Sequence, residues 1–157
     1  MADLVSFFTF DNFLTQLAKG KTSALDLTAD TLSVYLSNAT PNRETHTKKS
    51  DLADITAKNG YSGMVDLTIT SRGITSNQYI IIANDVEWNV TAATDGTGVG
   101  PFRYAILLDK TSNATDSERL LLGYWAWPTS YTVASGNPIK IDFSATNGAL
   151  RLFSSST

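Results

Sequence analysis

Most of this chain alternates apolar and polar residues with a period of two, and that pattern restricts its fold more than any other feature. In TLSVYLS (31–37), Leu32, Val34 and Leu36 fall on one side and Ser33, Tyr35 and Ser37 on the other. MVDLTIT (64–70) sets Val65, Leu67 and Ile69 against Asp66, Thr68 and Thr70. PIKIDFSA repeats the pattern with Ile139, Ile141 and Phe143, and ALRLF ends it with Leu150 and Leu152. Successive side chains of a strand face opposite sides of a sheet, so these runs predict antiparallel strands with one wet face. Three denser runs, QYIIIAN, FRYAILLD and LLLGYWAW, fit central strands buried on both faces. Ser and Thr supply about a quarter of the residues, and Thr suits a pleated, half-buried surface better than a helix.

Turn signals punctuate the runs: Asn59-Gly60, Arg72-Gly73, Asp95-Gly96, Ser135-Gly136-Asn137-Pro138 and Asn147-Gly148. Asn-Gly tolerates positive φ at both positions, and at 147–148 it joins two alternating runs, which predicts a hairpin there. One segment reads as helix, over 11–19. Asp11 is its N-cap, Phe10, Phe13, Leu14 and Leu17 recur at helical spacing, and Gly20 follows as the terminating glycine. Residues 38–63 are irregular: TPNRETHTKKSD makes a polar loop and DLADIT one helical turn. The expected architecture is one all-β domain over 1–157, an antiparallel β-sandwich of jelly-roll type. It comprises an apolar N-terminal arm (1–10), one short helix (11–19) and the sandwich (31–153).

The stretch GTGVGPFRYAILLD (96–109) raises the question of a phosphate-cradling loop. Such a loop needs a strand before its glycines and a helix N-terminus after them. Here Pro101 and a run of strand formers follow, with no Gly-Lys-Ser or Gly-Lys-Thr, so the glycines are read as a flexible strand entry. The single histidine, His46, lies in a polar loop with no serine-nucleophile motif nearby. Asp95 is the lone charged oxygen ligand in ATDGTG, short of a calcium loop, and no two carboxylates stand out as a glycosidase pair. The chain has no cysteine, hence no disulfide, thiolate metal site or Cys nucleophile.

A net charge of −3, with Lys48-Lys49 beside Arg43 and His46 as the one basic cluster, does not predict nucleic-acid binding. No apolar run approaches the ~18 residues of a membrane helix. MADLVSFFTFDNF lacks the basic start of a signal peptide, so Asn38-Ala39-Thr40, Asn89-Val90-Thr91 and Asn113-Ala114-Thr115 are read as turn and strand residues. The expectation is a protein that is not an enzyme, uses no cofactor or metal, and engages neither nucleic acid nor membrane.

Two apolar features remain. Trp125 and Trp127 share one strand face in a run with little polar support, which predicts packing residues; a glycan-stacking platform is the alternative. The arm LVSFFTF places Leu4, Val5, Phe7, Phe8 and Phe10 where chain ends are usually polar. These five are the candidate interface residues, since an exposed apolar patch normally marks a contact. Packing against the domain's own core is the rival reading.

Several segments, taken in order, carry a resemblance: TLSVYLSNATPNRETHTKKSDLADITAKNGYSG, VGPFRYAILLDKTS, LLGYWAW and IKIDFSATNGALRL. Together they resemble small structural proteins of tailed-bacteriophage virions, in particular capsid decoration (cement) proteins, over nearly the whole chain from about residue 10. The resemblance implies a role in reinforcing capsomer junctions, on the capsid exterior of a virion assembled in the host cytoplasm. The implied partners are the major capsid protein and further copies of the chain, with a trimer favoured. A tail or fibre component and a carbohydrate-binding module are the alternatives. It supplies no catalytic residues; Asn59, Gly60, Tyr61, Gly100, Pro101, Phe102, Arg103, Tyr104, Asn147 and Gly148 look like fold determinants.

Overall fold

The alternating runs do become strands, and every pair of described strands is antiparallel. The computed structural model describes residues 7–20, 23–91, 97–143 and 148–153. Along the chain come β1 (Phe7–Thr9), α1 (Asp11–Lys19), β2 (Leu32–Ser37), β3 (Val65–Asp66), β4 (Ile69–Thr75) and β5 (Gln78–Ala83). They are followed by β6 (Val86–Asn89), β7 (Val99–Asp109), β8 (Leu120–Val133), β9 (Pro138–Ile141) and β10 (Leu150–Phe153). Among the described residues these form a five-stranded sheet of order β1-β8-β7-β2-β3, a three-stranded sheet β10-β5-β4 and the pair β6-β9. The described residues are therefore all-β apart from one short helix and the 3-10 turns Lys49–Asp51 and Asp116–Glu118.

The five-stranded sheet is apolar on both faces. One face, with Leu32, Val34, Leu36, Ala105, Leu107 and Trp125, packs with residues of the two smaller sheets such as Ile81, Trp88, Ile139 and Leu150. The other carries Tyr35, Tyr104, Ile106, Leu108, Leu121 and Tyr124 under Phe10 and Leu52. This second face departs from the expected wet side of β2, all six residues of which are buried. The polar loop explains why. Tyr35 donates to the Leu52 carbonyl (2.8 Å), Ser37 to that of Ala53 (2.6 Å), and the Leu36 N–H to the Tyr61 hydroxyl (2.8 Å). Loop 38–63 is thus a cover, tied down by the polar positions of the strand.

Two turn assignments and one helix cap diverge. Arg72-Gly73 is not a turn but lies inside β4; the reversal is at Ser76-Asn77, both with positive φ (50° and 62°). The strands flanking the expected Asn147-Gly148 hairpin do not pair with each other: β9 pairs with β6 and β10 with β5. Helix α1 has the expected bounds, but Asp11 is its first helical residue and the cap position is Phe10, which makes no side-chain cap. Gly20 ends the helix at φ 55°. Leu14 is 48% exposed whereas Phe13 is fully buried. Leu4 and Val5, together with Asp95, Gly96 and Asn147, lie outside the described residues.

Candidate functional site

The glycine-rich stretch resolves into packing. Gly98 and Gly100 open β7, and a Cβ on either would lie 1.9 Å from the Val133 carbonyl oxygen or 2.5 Å from that of Tyr131. Only glycine lets β7 approach β8 so closely, and the run continues as strand, with no helix N-terminus to hold an anion. His46 is a loop residue whose Nδ1 accepts the Asn42 N–H at 3.2 Å. Among the described residues no three His, Cys, Asp or Glu side chains cluster as metal ligands. No described helix is long and apolar enough to cross a membrane.

Trp125 and Trp127 are 8% and 1% exposed. Trp125 meets Phe7 and Phe143 at ring separations of 4.7 and 5.4 Å, and Trp127 meets Phe102 edge-on at 5.3 Å. Both indoles are thus largely buried among side chains, and the exposed part of Trp125 lines a cleft beside Phe7.

The candidate interface is the edge strand β1. It pairs with β8 in the register Phe7–Trp125, Phe8–Tyr124 and Thr9–Gly123. Phe7 therefore turns inward onto Trp125, while Phe8 stacks on Tyr124 at 5.3 Å and keeps 38% of its surface exposed. Phe10 is fully buried beside Tyr124, 5.5 Å away. Of the named arm residues that are described, Phe10 is thus a core residue, Phe7 a half-buried one, and Phe8 the one that faces outward. Burial pushes the Tyr124 phenol up, an effect opposed by the nearby Arg43.

Residues not singled out in the sequence complete the site. Arg43 reaches back from loop 38–63 to donate through Nε to the Thr9 carbonyl (2.8 Å), and its own carbonyl accepts the Asp11 N–H (3.0 Å). Gly123 makes room for the arm, since a Cβ there would meet Phe7 Cζ at 2.3 Å and the Phe8 carbonyl oxygen at 2.6 Å. A cleft of about 450 Å³ runs between Phe7, Trp125, Arg43 and Arg151. Gly123 had a signal in the sequence, a lone glycine inside LLLGYWAW, which marks close approach of another group. Arg43 had none, because its partner is 34 residues away in the chain.

Several fold determinants act as such. Gly60 has φ 94° and would drive a Cβ to 1.9 Å from the Asn89 carbonyl oxygen, while Gly148 would place one 2.3 Å from that of Ile81. Tyr61 is 2% exposed and its hydroxyl donates to Asp54. Burial holds the Asp54 carboxyl above its ordinary range, partly offset by that bond. No family model matches the chain, and neither a curated protein nor a solved structure matches it.

Proposed function

We propose that the chain is a structural protein of a tailed-bacteriophage particle, binding the capsid exterior and reinforcing the junctions between capsomers. The observation that carries this reading is the edge strand β1, an aromatic segment that leaves Phe8 38% exposed beside Arg43. Its support in the sequence is the ordered series of segments that resemble those of capsid decoration proteins. The finer architecture belongs to the same reading: a jelly-roll sandwich with the five-stranded sheet as one layer and the two smaller sheets as the other. The partner is the major capsid protein, and the copies associate on the particle, as trimers at local threefold positions. Pressure from packaged DNA strains capsomer junctions; a clamp across them adds contacts that must be lost before the subunits part, and mass action then favours the intact lattice. A tail or fibre position would use the same edge.

Phe8 is the clean probe, because deleting the whole arm also removes Phe7 from Trp125. Replacing Phe8 by alanine forfeits its stack on Tyr124, worth about 1 kcal/mol to the fold, and removes the outward-facing ring. Co-sedimentation with undecorated capsids is expected to weaken about tenfold or more, a change of about 1.4 kcal/mol or more. Normal binding by the folded Phe8→Ala chain would count against the edge as the contact.

A further inference from the structure

Two acidic side chains are buried against each other at the end of β7, away from the β1 edge. Asp109 is 0% exposed, and Asp30, just before β2, is 6% exposed. Asp109 Oδ1 accepts the backbone N–H groups of Thr111 (2.8 Å) and Ser112 (3.1 Å), which fixes the carboxyl group. Its Oδ2 is buried and receives no N–H or O–H from any described residue. The Lys110 N–H donates to the Thr31 carbonyl (2.9 Å) and the Thr31 N–H to the Thr111 hydroxyl (2.8 Å), which brings the turn ending at Asp30 against the end of β7; Asp30 Oδ2 accepts the Asp26 N–H.

The neighbouring charges are committed elsewhere. Arg72 of β4 donates to the backbone carbonyls of Leu27 and Asp30, and Tyr79 of β5 donates to Leu27 as well. Lys110 turns outward to Asp66 at 2.6 Å, and Arg119 pairs with Asp116. The Asp26 carboxylate bonds to Thr28. Two ionised carboxylates cannot hydrogen-bond to each other, and a buried oxygen without a donor is costly. One proton between them converts repulsion into a charge-assisted O–H···O bond.

We propose that Asp109 keeps its proton in the folded chain and donates it to the Asp30 side chain, forming a proton-dependent latch that fastens the 26–30 turn to the end of β7. Arg72 and Tyr79 grip the same turn from the three-stranded sheet, so the latch closes where the connection from α1 meets both sheets. Burial, and then the Asp30 carboxyl, push the Asp109 carboxyl up from 3.8 to about 7. The folded chain thus keeps a proton that the unfolded chain has lost. The stability this gives is complete below 3.8 and is lost as pH rises through about 7.

The test is the pH dependence of unfolding for the wild type, Asp109→Asn and Asp30→Asn. An amide at 109 can keep the Thr111 and Ser112 bonds and donate permanently to Asp30. The wild-type unfolding constant is expected to rise up to about tenfold per pH unit across the window below pH 7, and each variant to flatten that slope. Equal slopes in wild type and a folded variant would overturn the latch. A calcium-dependent rise in melting temperature above pH 7, abolished in the variants, would also overturn it, assigning the pair to a cation. Should neither variant fold, infrared spectroscopy of the wild type decides. A carboxylic C=O band present at about pH 6, gone by about pH 9 and retained in Asp54→Asn supports the latch, and its absence at the lower pH refutes it.

Discussion

Trp127 shows what a single side chain does in this fold. It is 1% exposed and meets Phe102 edge-on across the hairpin of β7 and β8. Its replacement by alanine is expected to cost about 3–5 kcal/mol, the scale for truncating a buried aromatic, read as a fall in the denaturation midpoint. An unchanged midpoint would mean that the indole packs less tightly than its burial indicates. That Trp125 and Trp127 are packing residues was legible in LLLGYWAW, a dense run with few polar neighbours. The inward turn of Ser33, Tyr35 and Ser37 was not, because alternation reports polarity and not what covers a face. Their hydroxyls find partners in Asp66 and in the loop carbonyls of Leu52 and Ala53, and such long-range pairs leave no trace in a local pattern.

Among the elements, β1 depends on a gap in its neighbour. Gly123 lies opposite Thr9, and the Phe7 ring and Phe8 carbonyl occupy the space where a Cβ would stand. Gly123→Val is therefore expected to expel β1 from the sheet while β7 and the rest of β8 stay paired. Amide exchange at Phe7–Thr9 should become fast and the pairing of β2 with β7 stay protected; continued protection of Phe7–Thr9 would contradict this view of the docking. The existence of α1, β2, β7 and β8 and the bounds of α1 could be read from periodicity, but the start of β7 at Val99, the extension of β8 to Val133 and the choice of partners could not. Asn147-Gly148 has hairpin chemistry, yet the flanking strands each find an earlier strand, β6 for one and β5 for the other. Gly73 misled for a related reason. It belongs to the edge strand β4, where nothing lies within 4 Å of its missing Cβ and glycine is merely tolerated.

At the scale of the molecule, a sheet buried on both faces leaves few apolar residues to spare, and the large ones exposed are Phe8, Leu14 and Ile74 among those described. Phe8 alone of these stands in the arm that the sequence marks as unusually apolar. The apolar character of the arm was legible in the sequence, whereas its division into inward Phe7 and Phe10 and outward Phe8 required the register with β8. The proposed role rests on that outward edge meeting a capsid. Under that proposal the most direct test is a cryo-electron microscopy map of the phage particles that would carry the chain, compared with particles lacking it. The expected result is extra density on the outer surface at the junctions between capsomers, with β1 at the contact. Density confined to the tail, or none on the particle, would contradict the capsid role.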